Sequence, residues 1–187
     1  MSTLVPPHGG GELKLLLVPE TERADELARA ENLKKVPMSS REVSDVLMMS
    51  QGAYTPLEGF IGEADWRGVC ADMKLSNGVF WPIPISLSAD QELADSIGEG
   101  EEVALVDEES GRIMAVMQVE DKYVIDREFE CQHVYTTTDA EHPGVQKVME
   151  QRAVNLGGPV SVIDEGEFPS MFGDLYVRPA ESRAMFA

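Results

Sequence analysis

An α+β fold is predicted for this chain, with short, mostly antiparallel strands forming a sheet or barrel and helices placed around it. From Val103 to Ile125 three apolar runs follow one another with close polar turns between them, the pattern of antiparallel neighbours. On either side of that region, apolar residues recur at helical spacing behind recognisable start signals. The length of 187 residues allows roughly 70% of the unfolded surface to be buried, enough for one sizeable core and a remainder.

Taken in order, the chain opens on Pro6-Pro7-His8 and three glycines, followed by the strand-length run LKLLLV from Leu13 to Val18. A His-Gly-Gly-Gly string forms the oxyanion loop of some esterases, but it then needs a Gly-x-Ser-x-Gly elbow downstream, and the sequence has none. A phosphate-cradling loop would need Lys-Ser/Thr after the glycines. The segment reads as a flexible lead into a first strand. Thr21 to Leu33, rich in Ala, Glu, Leu and Arg, reads as a surface helix that Pro37 ends.

Ser39 followed three residues later by Glu42 is a capping box, so a helix is predicted to start there, with Val43, Val46 and Leu47 on its buried stripe and Met48 and Met49 flanking it. Gly52 stops it. Thr55-Pro56 and Gly59-Phe60 make a stiff connection to a second helix over Ala64 to Met73. Ser76-Asn77-Gly78 predicts a turn, and Val79 to Leu87 an edge strand or barrel rim, because Pro82 and Pro84 each remove a ladder donor on the same side.

The apolar runs Val103 to Val106 and Ile113 to Val119 flank Asp107 to Arg112 as a hairpin, and Val119 to Ile125 continues as a third strand. Asp126 to His133 reads as a short helix. Another starts between Asp139 and Pro143, with Val145, Val148 and Met149 on one face. Gly157-Gly158-Pro159 closes this unit, Pro159 to Ile163 is a last strand, and EGEFPSMFGD is a punctuated connection. Pro179 opens a final helix with Glu181 in its first turn and Arg183 near its end.

Lys and Arg number 15 against 34 Asp and Glu, a formal charge of −19, so a polyanion is repelled by most of the surface and nucleic acid is not expected as a partner. No run has the apolar length of a membrane span, and the first residues lack the features of a secretory signal, which predicts a cytoplasmic protein. Ser86 to Gly111 contains no Lys or Arg. Its carboxylates do not follow the spacing of a cation-binding loop, so it reads as a solvated acidic face. Cys70 and Cys131, in no CxxC spacing, read as buried reduced thiols, and the scattered His8, His133 and His142 as structural.

The strings SSRE at Ser39, GAYTPLEGF at Gly52, ADW at Ala64 and NGVFWPIPISL at Asn77, in that order, resemble the N-terminal part of ATP sulfurylase, the sulfate adenylyltransferase family. The likeness extends from LVPPHGG at Leu4 through EDKY at Glu120, HPGV at His142 and GGPV at Gly157 to RPAESRAMF at Arg178. It implies a PUA-like β-barrel with helices over residues 1–168. Residues 169–187 would then be a connection and first helix leading into an α/β nucleotidyltransferase domain. The whole enzyme would join sulfate to the α-phosphate of ATP, giving adenosine 5'-phosphosulfate and pyrophosphate, or run the reverse in sulfur oxidation. ATP with Mg would be its substrate complex, and a homo-oligomer its full-length form.

The family's Gln-x-Arg-Asn-x-x-His-x-x-His signature does not occur between Met1 and Ala187. Adenylyl transfer needs Arg, His, backbone amides and a divalent cation around the polyphosphate, and no such cluster is found. No catalytic, cofactor-binding or metal residue is therefore assigned, and nothing is expected to bind this chain by itself. The apolar Met185-Phe186 pair at the end of the last helix reads as the edge of a fragment that serves as a scaffold. Arg41, Arg67 and His142 are the residues to revisit if the chain proved active alone. The alternative, a stand-alone PUA-like RNA-binding module, would have to use Lys34, Lys35 and Arg41 beside Trp66 and Arg67, where Glu31, Glu42 and Asp65 stand ready to balance them.

Overall fold

The structure is a computed structural model that describes residues 4–187. In chain order the elements are α1 (Glu20–Ala30), β1 (Lys34–Met38), α2 (Ser40–Ser50), β2 (Gly59–Phe60), α3 (Glu63–Asp72), β3 (Leu87–Ala89) and α4 (Gln91–Ser96). They continue as β4 (Glu102–Asp107), β5 (Ile113–Gln118), β6 (Asp121–Val124), α5 (Arg127–Glu130), α6 (Pro143–Met149), β7 (Val154–Val162), α7 (Phe168–Phe172) and α8 (Pro179–Met185). The α+β reading holds. The chain divides into two compact units, one of residues up to 59 with 102–118 and 159–187, the other of residues 60–101 with 119–158.

In the first unit β4 and β5 form the expected antiparallel hairpin, with Ala104 opposite Val116, and β5 runs antiparallel to the end of β7, with Val116 opposite Ser161. Beside them β1 lies parallel to β4, Val36 opposite Leu105, so the sheet is mixed. Pro37 does not end α1. The helix closes at Ala30, where Leu33 N–H returns to the Ala30 carbonyl, and Pro37 lies inside a new strand. That strand sits at one end of the sheet order, where a missing donor is tolerated and where Lys34 and Lys35 discourage further pairing. Ala30, Ala104, Val116 and Ile163 pack as one cluster, with Leu33 and Ile113 against it.

Leu13 to Val18 does not form the predicted regular strand. Leu17 makes a single parallel bridge to Val162, because neighbouring amides go elsewhere: Lys14 N–H to Thr55 Oγ1 at 3.0 Å and Leu16 N–H to the Met49 carbonyl at 3.3 Å.

The capping box of α2 forms as expected. Ser39 N–H donates to Glu42 Oε2 at 2.8 Å, and Glu42 N–H reaches Ser39 Oγ at 3.5 Å. Val43, Val46, Leu47 and Met49 are buried on the inner stripe. Leu47→Ala is expected to cost about 2–3 kcal/mol, the lower part of the range for buried leucines, since one side of Leu47 borders an open groove. Urea denaturation followed by circular dichroism measures it, and a loss below about 0.5 kcal/mol would show the site to be unpacked.

In the second unit β3 and β6 both run antiparallel to the first half of β7, with Asn155 opposite Ser88 on one side and Tyr123 on the other. Of the run predicted as a strand from Val79 to Leu87 only Leu87 enters one, β3 (Leu87–Ala89), with Phe80 in an isolated bridge to Lys74. Pro82 and Pro84 supply no amide hydrogens to a ladder there. The Ser76-Asn77-Gly78 turn forms, closed by Gly78 N–H to the Leu75 carbonyl at 2.8 Å. Gly157-Gly158-Pro159 lies within β7, which starts at Val154 rather than at the predicted Pro159, and the second unit ends at Gly158. Asp126 caps α5 by accepting Phe129 N–H at 3.0 Å, and a π-helical turn over Cys131–Tyr135 follows. His142 caps α6, its Nδ1 accepting the Gly144 N–H at 3.1 Å, which is the structural role expected of it.

Candidate functional site

At the end of β7 the chain is held against β5: Ile163 and Asp164 N–H both donate to the Met114 carbonyl, at 2.8 and 3.0 Å. Gly166 follows in the left-handed region, φ +65°, with its N–H on Asp164 Oδ1 at 2.9 Å. This short turn presents Glu165 inward, 7% exposed. Its Oε2 accepts from Arg178 Nη2. Its Oε1 lies 2.9 Å from the hydroxyl of Ser50 at the end of α2, whose proton is shared with the Leu47 carbonyl at 2.8 Å. Arg178 caps α8, with its own N–H on Glu181 Oε2 at 2.8 Å, and its guanidinium lies over the Tyr176 ring at 5.8 Å. Burial, with the Glu165 charge adding to it, raises the Tyr176 hydroxyl above its ordinary pKa.

The segment that follows Glu165 is polar where it is anchored and apolar where it is open. Neither α7 nor α8 has a buried residue. Phe168, Met171, Phe172, Leu175, Met185 and Phe186 are exposed, Leu175 and Phe186 by 85% and 80%. A groove of about 380 Å³ lies between the Ser44, Leu47 and Met48 side of α2 and Phe168, Phe172, Leu175 and Tyr176.

A second polar cluster sits on the same unit. Arg41 Nη1 donates to Asp45 Oδ2 at 3.2 Å, and the Tyr54 hydroxyl donates to Asp45 Oδ1 at 3.0 Å. Burial raises Asp45 from about 3.8 to about 6, against the opposing pull of Arg41 and Tyr54 and with a small push from Glu42. Because the folded value lies above the unfolded one, the folded state holds this proton more tightly. The Asp45 contribution is then greatest below about pH 4 and falls as pH rises to about 6, by an amount on the order of 2–3 kcal/mol. Asp45→Asn, which keeps an acceptor for Tyr54, is expected to gain stability relative to the parent between pH 4 and pH 6.5. Paired urea titrations at the two pH values measure this, and a pH-independent difference would contradict it.

The cationic residues considered from sequence are engaged. Arg41 pairs with Asp45 and Glu42, and Arg67 pairs with Glu63 at 2.7 Å rather than with Asp65. Lys35 Nζ donates to the Glu31 carbonyl at 3.2 Å. Lys34, Lys35 and Arg41 belong to the first unit, Trp66 and Arg67 to the second. Trp66 is fully buried, its Nε1–H on Glu130 Oε2 at 2.6 Å, and so offers no stacking platform. Cys70 and Cys131 are buried thiols, and burial pushes Cys70 up to about 12 and Cys131 upward. His133 Nδ1 lies 2.8 Å from the Phe129 carbonyl. Among the described residues no group of three His, Cys, Asp or Glu could hold a metal ion, and no helix is long and apolar enough to cross a membrane.

The family description "PUA-like domain" matches residues 5–165. Sulfate adenylyltransferase of Syntrophobacter fumaroxidans is 55% identical over 188 aligned positions, covering 100% of this chain and 46% of that protein. That of Thiobacillus denitrificans is 54% identical, again over 100% of this chain and 46% of its own length. A solved structure described as "Hexameric APS kinase from Thiobacillus denitrificans" superposes with a TM-score of 0.72 at 28% identity, over 98% of this chain and 31% of the other. The chain therefore spans about half the length of the curated relatives it matches. It belongs to the PUA-like domain family, in the form found in the N-terminal part of sulfate adenylyltransferases.

Proposed function

We propose that this chain acts as the scaffold half of a cytoplasmic sulfate adenylyltransferase. Residues 1–168 would form the PUA-like domain, and residues 169–187 the connection and first helix toward a nucleotidyltransferase domain. That domain would bind ATP with Mg and sulfate and exchange them for adenosine 5'-phosphosulfate and pyrophosphate, in one direction or the other. No residue between 4 and 187 is proposed to touch the reacting atoms. The carrying observation is the run of exposed apolar residues from Phe168 to Phe186, with Leu175 and Phe186 at 85% and 80% exposure, since exposed large apolar side chains gathered in one segment mark a surface that another protein surface covers. A homo-oligomer is proposed for the full-length form, in keeping with the superposed kinase from Thiobacillus denitrificans, which is described as hexameric.

The test compares the 187-residue chain with a full-length protein carrying it, by luminescent detection of ATP made from adenosine 5'-phosphosulfate and pyrophosphate. Turnover is expected only from the full-length protein. Turnover by the shorter chain above a no-protein control would overturn the scaffold reading and return attention to Arg41, Arg67 and His142. RNA is not expected to bind even at low ionic strength, where screening lengths reach about 30 Å and attraction is exaggerated. Micromolar, salt-sensitive binding of labelled RNA in fluorescence anisotropy would favour the RNA-binding module instead.

A further inference from the structure

Resting on the reading just given, we propose that Glu165 and Arg178, braced by Ser50, are positioning residues for adenylyl transfer. They set the direction of α8, and with it where the nucleotide-binding part of the enzyme meets its substrates.

The inference starts from an imbalance between packing and anchoring. A helix is ordinarily oriented by the apolar stripe it buries, yet α8 buries no residue. Its direction must come from its polar attachments. Two are seen among the described residues: the Arg178 guanidinium on Glu165, and the Arg183 guanidinium on the Val5 carbonyl. The second ends on the carbonyl of the exposed Val5, where water competes for it. The first ends on a carboxylate that is 7% exposed, where a charge-assisted bond is less screened and its loss leaves a buried charge without its counterion.

The carboxylate is held on two sides. The two residues before it, Ile163 and Asp164, are tied to β5 through their amides on the Met114 carbonyl, and Ser50 at the end of α2 holds its other oxygen. Two elements, α2 and α8, thus meet on one side chain whose preceding backbone is fixed to β5. Arg178 is also the N-cap of α8, so its attachment fixes the helix at its first turn rather than partway along. The planar guanidinium, lying over Tyr176 as well, fixes an orientation that a lysine ammonium, a point charge on a flexible stem, would not.

The test has two readouts. In the 187-residue chain, Arg178→Met and Glu165→Gln are expected to raise hydrogen exchange of the amides of residues 181–186 by about tenfold or more, while β4 and β5 keep parental protection. In the full-length protein the same variants are expected to lower kcat by about ten- to a hundredfold, with KM for ATP and sulfate within about twofold, because orientation rather than binding is lost. Arg178→Lys should recover only part of the rate, and Arg183→Ala should behave as the parent. Glu165→Gln preserves shape and serves if Arg178→Met fails to fold. Unchanged exchange in α8 would overturn the anchor, and raised exchange with unchanged kcat would overturn its positioning role. A full-length parent without adenylyl transfer would overturn the enzyme reading and the positioning role with it, while the exchange result would still decide the anchor.

Discussion

Trp66→Ala is expected to cost about 3–5 kcal/mol through lost burial and the cavity left behind, enough to consume much of a typical domain stability of about 5–15 kcal/mol. Trp66 is 0% exposed on the inner stripe of α3 with Val69 and Cys70. Its ring meets Tyr123 at 5.7 Å and Phe129 at 5.6 Å, tying α3 to β6 and to α5. Its Nε1–H also donates to Glu130 at 2.6 Å, where the carboxylate is buried, and removing that donor adds a cost of about 1–3 kcal/mol. Trp66→Phe keeps an aromatic ring while removing the donor and the smaller part of the indole, so it should lose less than the alanine variant: about 1–3 kcal/mol for the unpaired carboxylate plus a smaller cavity cost. Urea unfolding monitored by circular dichroism measures both, and an alanine variant within about 1 kcal/mol of the parent would refute the packing seen around this side chain.

What the sequence disclosed divides by distance along the chain. The capping box of α2, the β4–β5 hairpin and the Pro179 start of α8 rest on residues within a few positions of one another, and each forms where those residues place it. β1 is hidden because Lys34, Lys35 and Pro37 locally argue against a strand, and what makes them one is the ladder to Val103–Asp107. LKLLLV fails in the opposite sense, its apolar run suiting a strand while its amides are drawn to Thr55 and Met49. In β7 the Gly157-Gly158-Pro159 string has a composition that breaks strands, and pairing of Gly157 with β6 on one side and of Val160 with β5 on the other carries the strand through it.

The Glu165 cluster is less legible still. Ser50 and Glu165 are 115 positions apart, and Glu165 and Arg178 are 13 apart, separations that match no motif. Glu165 lies in a stretch whose composition suggests only a connection. The one local hint is Arg178 standing directly before Pro179 with Glu181 after it, an unusual residue at a helix N-cap. The exposed apolar ending of α8, by contrast, is visible in Met185-Phe186, because an apolar pair at the end of a short charged helix has no local partner.

Gly157→Val is the second substitution expected to be severe, and its cause is backbone geometry rather than lost burial. Gly157 has no left-handed φ, so strain in its own dihedrals is not the reason. A β-carbon there would lie 2.8 Å from Gly62 Cα, 2.9 Å from Gly62 N and 3.0 Å from the Ile61 carbonyl oxygen. All three are main-chain atoms, and no rotamer change moves them away. Gly62 is constrained in turn, since a β-carbon on it would meet Asp121 Oδ2 at 2.8 Å, the same oxygen that accepts Glu63 N–H at 2.7 Å at the start of α3. Gly157 faces Asp121 in the β6–β7 register, so two glycines and one carboxylate fix how α3 begins against this strand pair. Gly157→Ala is expected to cost about 1–3 kcal/mol, and the bulkier Gly157→Val more than about 3 kcal/mol. Gly98→Ala is the comparison, because a β-carbon there meets only Glu101 Oε2, at 3.6 Å, and should change stability by less than about 0.5 kcal/mol. If urea midpoints placed Gly157→Val beside Gly98→Ala, the close approach of β7 to the Gly62 backbone would be refuted, and the start of α3 would have to be held by the Asp121 carboxylate alone.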